Sequence, residues 1–158
     1  DFCLSRGLGD VYKRQYIDFY LFQLGPFMKP EWAERIEHFI MKTDLHHRFA
    51  LEVRNDAWFS PQWIDWAFKL GITWVSIDSP DYPRDIHNSS GLVYVRMHGR
   101  TGWYNHLYSE EELEEVARNV LRAKPKKVYV FFNNDHAMLV NSRRVLSIFS
   151  DLVKGRSD

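Results

Sequence analysis

The sequence predicts a parallel α/β barrel of the TIM type, truncated to about its last five strand and helix units. From Tyr16 onward, short apolar runs alternate with amphipathic segments, which is the pattern of repeated βαβ units around a parallel sheet. Polar residues follow these runs at the strand ends where a barrel carries its functional groups. We therefore expect one partial barrel domain over residues 16–158, with the first strands of the barrel outside this chain.

Five runs rich in β-branched and aromatic residues are predicted to be strands. They cover residues 19–24, 49–54, 74–78, 93–98 and 128–133. Helix signals stand between them: Pro30 opens one helix, Ser60 before Pro61 opens the next, and Ser109 with Glu112 forms a capping box for the third. A fourth amphipathic helix follows the last strand.

Side chains alternate across a strand, so one parity of each run is expected to face the helices and the other the barrel interior. The apolar parity, assigned to the helix side, comprises Leu51, Val53, Val75, Ile77, Val93, Val95, Met97, Val128, Val130 and Phe132. The parity assigned to the interior comprises Glu52, Arg54, Ser76, Asp78, Tyr94, Arg96, His98, Tyr129, Phe131 and Asn133. Because the second set becomes polar toward the strand ends, it predicts a site at the C-terminal face of the barrel.

The composition limits the classes of function open to the chain. With 21 basic and 21 acidic residues the formal net charge is zero, so the basic surface expected of a dedicated nucleic-acid binder is missing. No apolar stretch approaches the roughly 20 residues of a membrane span, so no membrane partner is expected. The single cysteine, Cys3, forms no internal disulfide and fits the reducing cytoplasm, which is the expected location.

Residues 1–15 show neither helical nor strand periodicity, and they lack the apolar core of a signal peptide. We interpret them as an artefactual or disordered tail and leave them, with Cys3, out of the predicted domain. No internal repeat or linker divides the remaining chain.

The interior parity collects charged residues, which are rarely buried unless they are paired. His98 is the natural proton-transfer group near neutral pH, and Glu52 or Asp78 is the candidate second acid or base. Arg54 and Arg96 are suited to hold a carboxylate or a phosphate. The alternative interpretation is structural: an ion-pair network such as Glu52 with Arg96, and a histidine that is only a hydrogen-bonded core residue.

A divalent metal is the less favoured interpretation of the same strand ends. Four residues there offer the oxygen and nitrogen ligands that such ions bind: Glu52, Asp78, His98 and Asp135. Their spacing matches no metal-binding motif, and two interleaved arginines oppose cation binding. We therefore expect no cofactor, with a divalent metal as the open alternative.

The loop after the fourth predicted strand places Trp103 and Tyr104 near the same face. The two rings either stack a sugar or base, or anchor the loop on the barrel rim. The chain has no phosphate-cradling Gly-rich motif, no Ser nucleophile elbow and no dinucleotide motif. Those enzyme classes are therefore disfavoured.

Six short motifs stand in order along the chain: FALEVRN (49–55), Trp58-Phe59, Asp78-Ser79-Pro80, YVRMHG (94–99), Trp103-Tyr104 and FNND (132–135). Together they resemble the YecE-like family, also known as domain of unknown function 72. The resemblance implies a TIM barrel of about 250 residues, an activity that is not established, and a suggested relatedness to barrel nucleases. It implies a shared cluster of Glu52, Arg54, Trp58, Asp78, Arg96, His98, Trp103, Tyr104, Asn133, Asn134 and Asp135.

The intact protein is accordingly expected to be an enzyme that performs acid/base chemistry on a phosphorylated, sugar-like or nucleic-acid substrate. The catalytic groups are predicted to be His98, Glu52 and Asp78. Substrate contacts are assigned to Arg54, Arg96, Trp58, Trp103, Tyr104, Asn133, Asn134 and Asp135. The alternative is a non-catalytic protein that binds a small anionic or sugar-like ligand or a nucleic acid, although the net charge gives nucleic acid no support.

Overall fold

The structure is a computed structural model that describes residues 16–155. The proposed tail, residues 1–15 with Cys3, lies outside the described residues. Four α-helices and five strands follow one another along the described chain: β1 (Tyr20–Gln23), α1 (Ala33–Thr43), β2 (Phe49–Glu52), α2 (Pro61–Leu70), β3 (Thr73–Asp78), β4 (Leu92–Met97), α3 (Glu110–Arg122), β5 (Lys127–Phe132) and α4 (Met138–Lys154). Each predicted strand is present, with its ends within two residues of the prediction.

The five strands form one parallel sheet in the order β1-β2-β3-β4-β5. Every neighbouring pair in that order is parallel. The predicted α/β class and parallel sheet are therefore confirmed. The segment 79–91 between β3 and β4 contains no helix, so the third predicted unit has a strand but lacks its helix.

The ends of α2 and α3 follow the signals read from the sequence, whereas Pro30 begins a 3-10 turn, Pro30–Trp32, and α1 starts only at Ala33. The hydroxyl of Ser109 accepts the backbone N–H of Glu112 at 3.3 Å, and the Glu112 carboxylate accepts the N–H of Ser109 at 2.8 Å, so the capping box of α3 is formed. Pro61 is the first residue of α2, and Gly71 ends that helix with φ of 67°, a conformation that glycine adopts without strain. Among the described residues no helix is long and apolar enough to cross a membrane.

All four helices pack on one face of the sheet, which we call the helix face. Ile36 of α1 and Ala67 of α2 lie in a core with strand residues of β2 and β3. Val116 of α3 and Val145 of α4 lie in a second core with strand residues of β4 and β5. These two apolar clusters hold the strands in place beneath the site.

The other face, which we call the helix-free face, is concave. Phe19, just before β1, contacts Tyr129 of β5 with ring centroids 4.8 Å apart, and the Tyr129 hydroxyl donates to the Asp18 carboxylate at 2.5 Å. Neighbouring strands lie about 4.8 Å apart, so β1 and β5 would be about 19 Å apart in a flat sheet. The contacts across this face therefore require strong curvature.

The predicted sidedness of the side chains is correct for β2, β4 and β5 but wrong for β3. Trp74 packs in the helix-face core, whereas Val75 and Ile77 lie on the helix-free face. Ser76 and Asp78 therefore point to the helix side. Because β3 is buried along its whole length, the positions of its apolar residues do not distinguish the two faces. On the helix side the Ser76 hydroxyl accepts the backbone N–H of His87 at 2.8 Å.

Candidate functional site

Four polar side chains meet on the helix-free face at the C-terminal ends of β2 and β4: Glu52, Arg54, Arg96 and His98, hereafter the central cluster. The guanidinium Nε of Arg54 lies 2.5 Å from Glu52 Oε1, and Nη1 of Arg96 lies 2.5 Å from Glu52 Oε2. The His98 ring lies beside them, with Nε2 3.1 Å from Arg54 Nη2 and 3.5 Å from Glu52 Oε1. Even-numbered residues reach one face because side chains alternate along each strand.

Glu52 is the negative centre of the central cluster. Burial alone would raise the pKa of its carboxyl, but hydrogen bonds with His98 and Arg96 and the charges of Arg96 and Arg54 outweigh burial and lower the pKa to about 2. Each carboxylate oxygen already accepts from a guanidinium group. Glu52 therefore stays ionised at neutral pH, and the geometry makes it a partner for cations rather than a proton carrier.

His98 is completely buried, with 0% of its surface exposed. Burial lowers the pKa of its imidazole below the ordinary value, and the charges of Arg54 and Arg96 act in the same direction, while Glu52 opposes them. The ring is therefore neutral at pH 7. Its Nδ1 atom has no hydrogen-bond partner among the described residues.

An aromatic wall closes the central cluster on the side of the loop after β4. The guanidinium of Arg54 lies over the Trp103 ring, 4.5 Å from its centroid, in a cation–π contact. Trp103 and Tyr104 contact the His98 ring at centroid distances of 5.3 and 5.5 Å. Tyr104 is 41% exposed, so this side of the site borders solvent.

Asp78 does not join the central cluster, because β3 turns it to the helix face. Its carboxylate accepts from Nη2 of Arg100 at 2.9 Å and from the Tyr108 hydroxyl at 2.9 Å. This placement corrects the expectation that Asp78 lies with Glu52 and His98. Of the three predicted catalytic residues, the structure therefore brings two together.

Trp58 also lies outside the site. It ends the 3-10 turn Asp56–Trp58, is completely buried in the helix-face core, and packs against Trp63 and Trp66. Its indole N–H donates to the Met28 carbonyl at 2.7 Å. The structure therefore does not bring Trp58 to the central cluster, because the turn directs its indole toward α2.

The three residues that follow β5 are divided between different surroundings. Asn133 continues the β4–β5 register beside His98, and its Oδ1 is buried without a partner among the described residues. Asn134 faces the other way, where its amide donates to the His106 carbonyl at 2.7 Å and to Asn141 Oδ1 at 2.8 Å. Asp135 is exposed and begins a 3-10 turn. Only Asn133 is placed to contact a ligand of the central cluster.

Some polar residues of the site and its surroundings were not predicted, among them Gln23, Arg100 and Tyr108. Gln23 of β1 accepts from Arg96 Nη1 at 3.1 Å, and the signal was available, since it is the single amide in an apolar run. Arg100 binds Asp78, but nothing in the sequence distinguished it from an exposed loop arginine. The pairing of Arg100 with Asp78 could not be predicted, because the side chains of β3 had been assigned to the wrong faces of the sheet.

Of the four residues considered as metal ligands, Glu52 and His98 are brought together, whereas Asp78 and Asp135 lie elsewhere. Within residues 16–155 no group of three or more His, Cys, Asp or Glu side chains is arranged to hold a metal ion. The oxygens of Glu52 are engaged by arginines, and Asp78 lies on the opposite face of the sheet. The donor set of the central cluster therefore fits an anion better than a cation.

The fold and the site define an α/β protein with a charged cluster at the C-terminal edge of a parallel sheet. The sequence profile described as "Protein of unknown function DUF72" matches residues 11–148, and the chain belongs to that family. No curated protein matches the chain.

Crystal structures of two DUF72 family proteins share the fold. For the protein from Thermotoga maritima the TM-score is 0.78 at 24% identity, covering 96% of this chain and 63% of the other. For the protein from Enterococcus faecalis one structure gives a TM-score of 0.70 at 20% identity, covering 84% of this chain and 58% of the other. The chain thus spans less than two thirds of the length of these relatives.

Proposed function

We propose that the central cluster is an active site that performs acid/base chemistry on an anionic substrate, with His98 exchanging the proton. The substrate class is a phosphorylated or sugar-like compound or a nucleic-acid strand. Arg54 and Arg96 hold the anion, and Trp103 and Tyr104 form the wall against which a ring of the substrate stacks.

The observation that carries this proposal is the state of His98. A buried polar atom without a partner costs about 1–3 kcal/mol, and a ligand at the central cluster would supply that partner for the His98 ring. The Nε2 atom faces Arg54 and Glu52, whereas Nδ1 has no partner among the described residues. With the ring hydrogen on Nε2, toward Glu52, Nδ1 carries the lone pair and is the ring nitrogen left to accept a proton from a substrate.

The charge of the central cluster supports an anionic substrate. Two guanidinium groups, one carboxylate and a neutral imidazole sum to one positive charge. In the described contacts Arg96 donates only through Nη1, to Glu52 and Gln23, so the rest of its five N–H donors remain for a ligand. A phosphate or carboxylate group of the substrate would accept hydrogen bonds from these remaining Arg96 donors.

Glu52 has a positioning task in this proposal. When His98 takes up a proton, the carboxylate 3.5 Å from Nε2 stabilises the imidazolium ion. Because Arg54 and Arg96 keep Glu52 ionised, it holds this role without exchanging a proton itself. The arrangement follows the general rule that a catalytic base is oriented by a third group.

We also propose that the five strands belong to a closed TIM-type barrel in the intact protein. The concave helix-free face, the parallel order of the strands and the polar groups at their C-terminal ends all support this fold. A barrel has eight strands, and five eighths is close to the 63% of the Thermotoga maritima protein that the chain spans.

The experiment that tests the function is a screen of the purified protein against pools of phosphorylated sugars, nucleotides and oligonucleotides, with and without divalent metals. For any reaction found, His98→Asn should lower turnover by a factor on the order of 100 or more while stability changes by about 1–2 kcal/mol. His87→Asn is the matched control, because His87 is a half-buried histidine that packs near Trp74, away from the central cluster.

A stable and fully active His98→Asn protein would rule out His98 as the proton-transfer group.

The competing function, a binding protein without catalysis, is favoured by the stacking of Arg54 on Trp103, which offers a surface on which a base or sugar can stack. Ligand binding that weakens steeply with salt and is never accompanied by turnover would identify that function.

A further inference from the structure

Asp78, at the end of β3, is the centre of a buried polar cluster on the helix face. Its two carboxylate oxygens accept from Arg100 Nε at 3.2 and 3.0 Å and from Arg100 Nη2 at 2.9 Å. The Tyr108 hydroxyl donates to Asp78 Oδ1 at 2.9 Å. Burial, together with the Asp78 charge, raises the pKa of Tyr108, so this hydroxyl stays protonated and remains a donor.

These bonds tie both ends of the loop 99–108 to β3. Arg100 stands near the start of the loop and Tyr108 at its end. The Tyr108 hydroxyl also accepts the backbone N–H of Gly99 at 2.9 Å, which joins the two ends directly. Gly99 has φ of 110°, and a Cβ there would lie 2.5 Å from the Gly102 carbonyl oxygen, so the closed path of the loop requires glycine at this position.

The loop so held forms the cover over His98. Its residues Trp103 and Tyr104 contact the imidazole ring, and the Tyr104 N–H donates to the His98 carbonyl at 2.6 Å. The indole N–H of Trp103 donates to Asp81 at 2.5 Å, which ties the tip of the loop to the segment after β3. The exclusion of water from His98 therefore depends on this loop.

We propose that Asp78 is a positioning residue, which binds Arg100 and Tyr108 so that the loop 99–108 stays closed over His98. The inference rests on the proposed function insofar as it explains how the proton-transfer group is shielded from water. The role of Asp78 in holding the loop does not depend on which reaction the protein catalyses. One buried carboxylate engages both ends of the cover, so removing its charge should release the loop while the sheet remains folded.

The test compares Asp78→Asn with Glu115→Gln in the purified protein. Glu115 is the matched control, because its carboxylate also binds Arg100, at 2.7 Å, but from the solvent-exposed side. Two quantities are measured: hydrogen exchange of the Tyr104 amide, and the titration of the His98 ring by NMR. The second reports on the surroundings of the imidazole itself, and the amides of β1 and β2 show whether the rest of the protein stays folded.

In Asp78→Asn the Tyr104 amide should exchange at least about tenfold faster, and the His98 pKa should rise toward its ordinary value, while amides of β1 and β2 keep their protection. In Glu115→Gln both quantities should stay close to those of the parent protein. If Asp78→Asn does not fold, Tyr108→Phe, which removes the hydroxyl that donates to Asp78 and accepts from Gly99 but leaves the Arg100 pair, should change both quantities in the same direction.

An unchanged Tyr104 amide and an unchanged His98 titration in a folded Asp78→Asn or Tyr108→Phe protein would overturn the inference. So would faster exchange spread evenly over β1, β2 and the loop. The result is separable from the proposed function: a loosened loop and a shifted His98 titration, in a protein whose turnover does not depend on His98, would retain the positioning role and reject the acid/base role.

Discussion

Arg96 on β4 and Glu52 on β2 form a hydrogen-bonded ion pair that passes over β3, with Nη1 of the arginine 2.5 Å from Oε2 of the glutamate. The strand between them presents Val75 and Ile77 to the same face, so the pair lies above an apolar floor. Water is largely excluded there, and the charges interact more strongly than at a surface. The behaviour of the site with pH follows from this pair.

The acid stability of the protein should depend on Glu52. Its folded-state pKa of about 2 lies below the ordinary 4.5, so the stabilisation from its ionised form is fully present above about pH 4.5 and is lost as the pH falls toward 2. The difference corresponds to a contribution on the order of 3 kcal/mol. Urea unfolding between pH 2 and pH 6 should show this slope in the parent protein and a clearly shallower slope in Glu52→Gln.

Glu52→Gln should also be less stable at neutral pH by roughly 3 to 5 kcal/mol, because Arg54 and Arg96 lose their shared partner. Glu110→Gln serves as the control, since Glu110 pairs with Arg144 in a solvent-exposed position and its loss should leave the acid slope nearly unchanged. An equal slope in Glu52→Gln and the parent protein would contradict the assignment.

The His98 ring should remain neutral below pH 6.5. Its folded-state pKa is lowered, so the unfolded chain binds a proton before the folded protein does, and stability falls as the pH drops from 6.5 toward that lowered pKa. Burial also lowers the pKa of the half-buried His87, which contributes in the same direction. Titration of the ring protons by NMR checks His98 directly, and a midpoint at or above 6.5 would show that the ring is not held neutral.

Two tryptophans that the sequence assigned to one task should respond differently to truncation. Trp58→Ala removes a completely buried indole from the helix-face core, so it should cost roughly 3–5 kcal/mol of unfolding free energy. Trp103 is only partly buried, so Trp103→Ala should cost clearly less while releasing the Arg54 guanidinium from its ring. Chemical denaturation of both variants measures the two free energies of unfolding. Equal losses of stability in Trp58→Ala and Trp103→Ala would contradict the prediction.

The sequence predicted the strands well because each carries a short run of β-branched and aromatic residues bounded by helix signals. The sidedness of β2, β4 and β5 was also predictable, since the polar members of each strand share one parity. In β3 that rule failed. Both faces of this central parallel strand are buried, so apolar residues occur on each of them. Asp78 binds Arg100 and Tyr108 of a loop whose path the local sequence does not predict.

The contacts that the loop 99–108 makes with β3 could not be predicted from the sequence. Arg100 and Tyr108 reach Asp78 across 22 and 30 positions of the chain, and their pairing depends on the path of the loop rather than on a local pattern. The position of Trp58 was unpredictable for the same reason, since a single 3-10 turn decides which way its indole points. The central cluster was predictable because strand parity alone brings Glu52 and Arg96 to one face.

The adjacent residues Asn133 and Asn134 provide a last prediction, because their side chains point in opposite directions. Asn134→Ala removes the amide that donates to the His106 carbonyl and to Asn141, and it leaves two acceptors without that donor, so it should cost about 1–3 kcal/mol of stability. The described contacts give the Asn133 side chain no hydrogen bond, so Asn133→Ala should change stability by less than about 1 kcal/mol. Thermal unfolding of the two variants measures the difference directly. If Asn133→Ala proved the more destabilising of the two, the register that places Asn133 beside His98 would have to be abandoned, and with it the assignment of this asparagine to the ligand-facing side of the sheet.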